Sequence, residues 1–259
     1  MPATYKALAV AEGVTGTVVV ESSGHIEDNQ WIIDLADDDP FIVGLVGHLD
    51  PFSDNFARDL ERFSSSPIFN GFRLHMNCCH DYTGNPRQAD DSVSDKLLES
   101  LELLKARDLA LDFHGDYVSL DYVAELVRRV PGLRLVLNHI AEGRPIDGKE
   151  PNPEWARRVR EIAVWPNICC KISALVQMTE IIPAPADLEY YRPALEVLWN
   201  AFGQDRLIYA SNWPQIERVS NFATAHRIVA RYFEAKGSDA TEKYFWRNSR
   251  TVYQWTDRA

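Results

Sequence analysis

The sequence has no long apolar run and no cluster of basic residues. No stretch of its 259 residues approaches the length of about 18 consecutive apolar side chains that a membrane-spanning helix needs. The first residues, MPATYKALAVAEG, contain no signal-peptide cleavage pattern, so we expect a cytoplasmic protein. The net charge of -11 is spread along the chain, which argues against binding nucleic acid or an anionic membrane surface, since both require basic patches.

Cysteine is scarce and has no metal-binding or redox spacing. The four cysteines form two adjacent pairs, Cys78-Cys79 and Cys169-Cys170, and there is no C-x-x-C motif. Neighbouring residues of a strand point to opposite faces of a sheet, so such a pair does not make a metal clip. We therefore expect reduced thiols with a structural role.

Nucleotide-binding glycine motifs are also missing, because neither G-x-G-x-x-G nor G-x-x-x-x-G-K-S/T follows the first predicted strand. What the sequence does contain is a repeated alternation of short β-branched runs and longer helical stretches. We predict strands over 16–21, 41–49, 69–76, 109–114, 133–140, 167–175 and 206–213. We predict helices over 4–13, 27–38, 54–63, 93–106, 119–129, 153–163, 190–201, 219–236 and 239–247.

Single helices between consecutive strands predict parallel pairing with right-handed crossovers. The pattern alone leaves a doubly wound sheet and a barrel open, but polar residues at the strand ends favour the barrel. We therefore predict an α/β fold, a TIM-type (β/α) barrel that forms a single domain over residues 1–259. Two long loops, over 77–92 and 176–189, follow strands and are expected to lie over the active site.

Polar side chains terminate successive predicted strands. His48 ends the second strand, Arg73 and His75 the third, His114 the fourth and His139 the fifth, while Lys171 and Ser173 lie on the sixth and Asn212 and Trp213 end the seventh. A single histidine at a strand end is usually a hydrogen-bonded structural residue, whereas four at equivalent ends of one barrel would share one mouth. This convergence favours a functional site. His226, on a helix, is expected at the surface.

These residue types suit several kinds of chemistry. Imidazoles bind divalent metals, relay protons or hold carboxylates. A zinc site needs at least three protein ligands; His114 and His139 could supply two, and the third is not evident. Arg73 suits a substrate carboxylate because its planar fork matches two oxygens, although a structural salt bridge is an equal alternative. Lys171 lies in an apolar strand and must be paired or remain solvated.

Three segments carry a family signature. VPGLRLVLNHIAEGRP, WPNICCKISAL and above all FGQDRLIYASNWP resemble the amidohydrolase-related barrel hydrolases, which include fuconolactone, rhamnonolactone and pyrone-dicarboxylate lactone hydrolases. The resemblance covers about residues 4 to 255. It implies a barrel that hydrolyses a small ester or lactone. The family begins with a strand carrying H-x-H, and no such strand precedes Thr4, so the resemblance implies a barrel that lacks its first strand.

The resemblance also assigns residues. His114 and His139 match family histidines, which implies catalytic or metal-binding roles. The resemblance implies one divalent metal, zinc or manganese. Because some family members work without metal, a metal-free site is left open as the alternative. Asn212 stands where the family has an aspartate that activates water. An amide cannot act as a general base near neutral pH, so we expect Asn212 to orient water instead.

The leading hypothesis is a hydrolase of a small, carboxylated lactone or ester. In it, Arg73 holds the carboxylate, His114 and His139 polarise the carbonyl or bind metal, and Asn212 orients water. His48, His75, Lys171 and Trp213 are predicted to bind the substrate. Two alternatives remain: a degenerate barrel that binds a small ligand without catalysis, and a decarboxylase. Exposed edges of an incomplete barrel also predict a homodimer.

Overall fold

The computed structural model describes residues 2–76, 93–143 and 145–258, and within them seven strands form a sheet in the order β1 to β7. The strands are β1 (Thr17–Val20), β2 (Ile42–Gly47), β3 (Phe69–His75), β4 (Ala110–His114), β5 (Leu135–Leu137), β6 (Ile168–Ile172) and β7 (Leu207–Tyr209). The pairings of β1 with β2, β2 with β3, β3 with β4 and β6 with β7 are parallel. Sequential parallel strands joined by helices define an α/β fold of the TIM type, which confirms the predicted fold class.

Ten α-helices lie within the described residues, one before β1 and the others between or after the strands. They are α1 (Pro2–Ala11), α2 (Glu27–Asp38), α3 (Phe56–Ser64), α4 (Asp95–Ala106), α5 (Leu120–Arg129), α6 (Pro153–Ile162), α7 (Leu188–Phe202), α8 (Phe222–Lys236), α9 (Ser238–Glu242) and α10 (Asn248–Tyr253). A π-helical turn, Lys243–Arg247, joins the last two. None of these helices has both the length and the apolar character needed to cross a membrane.

Local sequence fixes several helix starts. The side chains of Ser94, Asn152, Asp187 and Asn221 each accept a hydrogen bond from a backbone N–H in the first turn of α4, α6, α7 and α8. These short polar residues satisfy amide groups that have no partner inside the helix. Pro153 follows Asn152 at the first position of α6, where its missing N–H costs nothing.

The contacts divide the chain into two compact units. The β1–β4 unit consists of Gly16–Gly115, Ser119–Val136 and Arg250–Ala259, and the β6–β7 unit of Met1–Thr15, Asp116–Val118 and Leu137–Ser249. In the β1–β4 unit every residue of β2 is buried, and α3 buries Phe56, Leu60 and Phe63 on one face. A strand covered on both sides in this way reads as a continuous apolar run.

The β6–β7 unit has an aromatic core. The rings of Phe233 and Tyr244 stack with their centroids 3.7 Å apart. His226 belongs to this core, with 8% of its surface exposed, so its predicted surface position is wrong. The reason is helical periodicity: His226 lies four residues after Phe222 and three before Val229, on the buried face of α8.

Candidate functional site

A chain of hydrogen bonds links three side chains at the strand ends of the β1–β4 unit. Glu21 directly follows β1, His75 ends β3 and His114 ends β4. The Nε2 atom of His75 lies 2.7 Å from Oε1 of Glu21, and the Nδ1 atoms of His75 and His114 lie 3.1 Å apart. The two histidines are register partners on neighbouring parallel strands, which explains their contact. The structure therefore joins two of the predicted site histidines to a carboxylate that the sequence analysis missed.

The hydrogen bonds assign the protons in this chain. Burial lowers the pKa of His75, and the hydrogen bond and charge of Glu21 oppose that effect without overcoming it. A neutral His75 that donates from Nε2 to Glu21 carries a lone pair on Nδ1. In the neutral tautomer that pairs with this lone pair, His114 donates from its own Nδ1 and carries its lone pair on Nε2. The arrangement presents His114 as a proton acceptor, with the charge of Glu21 behind it.

Arg73 lies beside the same carboxylate. Its Nη1 atom donates to the backbone oxygen of Glu21 at 3.4 Å and lies 3.7 Å from Oε1. Both side chains are largely buried, at 11% and 3% exposure. This ion pair corresponds to the structural alternative that the sequence left open for Arg73. The β4 partner of Arg73 in the strand register is Asp112, a fully buried carboxyl group.

The backbone of His48 is held by a residue of α2. The buried side chain of Asn29 donates from Nδ2 to the His48 carbonyl oxygen at 2.8 Å and accepts from the His48 N–H at 2.9 Å. Gly47 permits this approach, because a Cβ at that position would lie 2.4 Å from Asn29 Oδ1. The carboxyl end of β2 is therefore fixed by α2.

A second polar cluster lies at the strand ends of the β6–β7 unit. The Nδ1 atom of His139 lies 2.8 Å from Oγ of Ser173, which also accepts from the His139 backbone N–H at 3.2 Å. The Nζ atom of Lys171 donates to Oδ1 of Asn138 at 3.4 Å. All four side chains are buried. Lys171 and Ser173 are two residues apart, so they share one face of β6 and receive two consecutive residues that follow β5.

Left-handed backbone occurs after β5, β6 and β7. His139, Ile140, Ala141 and Glu142 have φ values of 52°, 52°, 51° and 47°. Ala174 follows β6 with φ 56°, and Asn212 follows β7 with φ 54°. This conformation costs a residue with a side chain about 1–2 kcal/mol. Such strain persists where the surroundings enforce it, and it clusters at functional sites.

Asn212 and Trp213 make contacts of their own. The Nδ2 atom of Asn212 donates to Oε1 of Gln177 at 2.7 Å. The ring of Trp213 packs against Tyr5 with a centroid distance of 5.4 Å and lines a surface groove with Leu8. The side chain of Gln177 therefore fixes the orientation of the Asn212 amide.

The cysteines behave as buried thiols where they are described. Burial raises the pKa of Cys169 to about 11 and the pKa of Cys170 further still. Both are free thiols, and a protonated thiol is a poor nucleophile. The pair Cys78-Cys79 and the loop predicted over 77–92 lie outside the described residues.

The described His, Cys, Asp and Glu side chains do not assemble a site for a divalent metal. Within residues 2–76, 93–143 and 145–258, no group of three or more His, Cys, Asp or Glu side chains is placed to hold a metal ion. Both ring nitrogens of His75 have side-chain partners, Nε2 with Glu21 and Nδ1 with His114. These residues do not fit the three-ligand set that a catalytic zinc requires.

The fold and the strand-end histidines together define a TIM-type α/β hydrolase. The chain belongs to the amidohydrolase family, because the family model described as Amidohydrolase (Amidohydro_2) matches residues 1–255. It is similar to an L-fucono-1,5-lactonase of Burkholderia ambifaria, with 31% identity over 98% of this chain and 84% of that protein. An L-fucono-1,5-lactonase of Burkholderia multivorans is 23% identical over 95% of this chain and 82% of that protein.

A solved structure supports the fold. A Burkholderia multivorans amidohydrolase with bound zinc superposes with a TM-score of 0.87 at 21% identity, covering 99% of this chain and 89% of that one. At this identity the similarity establishes the fold alone. The zinc belongs to that protein.

Proposed function

We propose that this protein hydrolyses a small lactone or ester that carries a carboxylate. The observation that carries the proposal is the chain Glu21–His75–His114, which presents a proton acceptor at the end of β4. Similarity to an L-fucono-1,5-lactonase over nearly the whole chain supports the reaction class. Hydrolysis of a lactone needs a group that accepts a proton from water and returns it to the departing oxygen.

The reaction follows from the assigned protons. His114 Nε2 accepts a proton as a water oxygen bonds to the carbonyl carbon. The positive charge that develops on His114 is shared with His75 and stabilised by Glu21, because each ring can pass its Nδ1 or Nε2 proton along the chain. The carbon–oxygen bond of the ring then breaks, and the proton returns from His114 to the departing alkoxide. The product is an open hydroxy acid.

The remaining predicted roles are proposals about single residues. Arg73 binds the substrate carboxylate in this proposal while one of its nitrogens faces Glu21. His48, Lys171 and Trp213 contact the substrate, His139 polarises its carbonyl and Asn212 orients water. The ligand role predicted for His114 and His139 is the alternative to this metal-free proposal, and elemental analysis decides between them.

The test is a screen of sugar lactones and simple carboxylated lactones, followed by variants. We expect His114→Ala to lower kcat by about 10²–10⁴-fold, the range for loss of a general acid or base. His139→Ala should also lower it. The matched control is His25→Ala, because His25 is an exposed histidine of the same unit as His114. Turnover that is unchanged in both His114→Ala and His139→Ala would overturn the proposal.

Location and assembly also belong to the proposal. We expect a cytoplasmic protein that forms a homodimer through an exposed sheet edge. Sedimentation of the purified protein tests the second point, and a stable monomer would contradict it.

A further inference from the structure

A buried carboxyl group and a distant tyrosine meet beside the histidine chain. The hydroxyl of Tyr253, at the end of α10, donates to Oδ1 of Asp112 at 2.6 Å. Asp112 is fully buried and Tyr253 is 2% exposed. The two residues are separated by 141 positions in the sequence, yet both belong to the β1–β4 unit. The proposed reaction has no role for either of them.

The strand register places Asp112 next to the residues of the Glu21–His75–His114 chain. Asp112 and His114 are two residues apart on β4, so they lie on one face of the sheet. Arg73 is the partner of Asp112 on β3, and His75 is the partner of His114. Arg73 and His75 in turn both contact Glu21. A displacement of Asp112 would therefore change the positions of Arg73 and of the His75 and His114 rings.

We propose that Tyr253 is a positioning residue for the His75–His114 pair, and that it acts by holding Asp112 in place. This inference rests on the proposed function, since it names a residue that supports the same site. A buried carboxyl group needs hydrogen-bond donors, and a charge-assisted hydrogen bond from a tyrosine hydroxyl is short and strong. Second-layer contacts of this kind orient the groups that perform chemistry.

The segment that carries Tyr253 is anchored at two further points. Gln254 Nε2 donates to Oδ2 of Asp108 at 2.6 Å, just before β4. Arg258 Nη1 donates to the Ile42 carbonyl oxygen at 2.9 Å, at the start of β2. These contacts tie the segment that follows Tyr253 to the residues before β4 and to the start of β2. The hydroxyl is thereby held at one position relative to β4.

Isosteric variants test the proposal. Tyr253→Phe removes only the hydroxyl, and Asp112→Asn replaces one carboxyl oxygen with an amide nitrogen of similar size. The matched control is Tyr244→Phe, because Tyr244 is also fully buried and donates to a backbone oxygen, that of Ile172 at 3.3 Å, in the β6–β7 unit. The wild type and all variants are compared at a temperature well below their unfolding midpoints.

We expect Tyr253→Phe to lower kcat by about 10-fold or more, in the range seen for second-layer partners, with KM within about twofold. Tyr244→Phe should lower the melting temperature and leave kcat unchanged. In the double variant Asp112→Asn/Tyr253→Phe, the loss should be no larger than that of the more damaging single variant, because the residues act through one contact. Unchanged kcat in Tyr253→Phe, or fully additive losses, would overturn the proposal.

A readout without substrate separates this inference from the function. The ring ¹⁵N and ¹H signals of His75 and His114, measured at one pH, should move in Tyr253→Phe and stay in place in Tyr244→Phe. Unmoved signals in Tyr253→Phe would overturn the positioning role. If the wild type hydrolyses no lactone while these signals move as expected, the proposed function fails and the positioning role stands.

Discussion

His75 Nε2 and Glu21 Oε1 lie 2.7 Å apart at the strand ends of the β1–β4 unit. This contact decides the chemistry of the neighbouring His114, because a His75 that donates from Nε2 can only accept at Nδ1. His114 then donates from Nδ1 and keeps its Nε2 lone pair. The carboxylate thus acts on a ring that it does not touch, through the imidazole between them.

Removing the charge of Glu21 tests this relationship. Glutamine at position 21 can still accept the His75 proton, but it cannot stabilise a positive charge on the imidazoles. We expect Glu21→Gln to lower kcat for lactone hydrolysis by about 10–100-fold, as for other groups that orient a catalytic histidine. Glu27→Gln is the control, since Glu27 forms an exposed ion pair with Arg62. Equal kcat values for the two variants would contradict the relay.

Metal removal should have little effect. The described residues supply no three-ligand set, and the proton path is built from side chains. We expect prolonged treatment with a chelator to leave turnover within about twofold of the untreated enzyme, since the three ligands of a catalytic zinc are not assembled. Elemental analysis of the same sample is the control. Loss of turnover that zinc or manganese restores would instead support the ligand roles predicted for His114 and His139.

Stability should fall on mild acidification, in part through His226. Burial lowers the pKa of His226 in the folded state; Glu12 opposes this shift and Arg227 adds to it. In the unfolded chain a histidine has a pKa of about 6.5. The unfolded state therefore binds more protons below about pH 6.5, and the stabilisation present near pH 7 is lost as the pH falls towards the folded pKa.

Urea denaturation at several pH values between 7 and 5 measures this effect. The free energy of unfolding should decline with falling pH in the wild type and decline less steeply in His226→Gln. The buried His75, whose pKa is also lowered, should account for part of the remaining slope. Identical slopes for the wild type and His226→Gln would show that His226 does not contribute.

The left-handed turn after β5 should tolerate glycine unusually well. Ala141 and Ala156 are both buried alanines, but Ala141 has φ 51° whereas Ala156 lies inside α6. Glycine relieves about 1–2 kcal/mol of strain at Ala141, while in a helix it costs about 1 kcal/mol. Each variant also loses one methyl contact. We expect Ala141→Gly to be about 2 kcal/mol more stable than Ala156→Gly in chemical denaturation. Equal stabilities would show that the turn is unstrained.

Local pattern predicted the elements well where side-chain periodicity is strong. The helix predicted over 27–38 is observed as Glu27–Asp38, and the strand predicted over 69–76 as Phe69–His75. The strand predicted over 133–140 ends at Leu137, because His139 begins a left-handed turn. Apolar residues such as Ile140 give no local sign of that backbone, which neighbouring structure enforces.

The predicted site residues were found at strand ends, but their partners were harder to foresee. Glu21 was detectable in principle as a charge directly after an apolar strand. Asn29 and Tyr253 were not, since each lies on a helix and reaches its partner across 19 and 141 positions. Helix periodicity likewise did not distinguish a buried His226 from an exposed one without knowledge of the packed face.

By itself, the sequence determined the alternation of strands and helices and which polar residues stand at strand ends, because both depend on local spacing and side-chain type. Only the tertiary structure decided that Glu21 bonds to His75, that His75 meets His114 and that Tyr253 holds Asp112. These contacts depend on strand register and on packing between segments far apart in the chain. Proton positions, and with them the chemistry, follow from those contacts rather than from the order of residues.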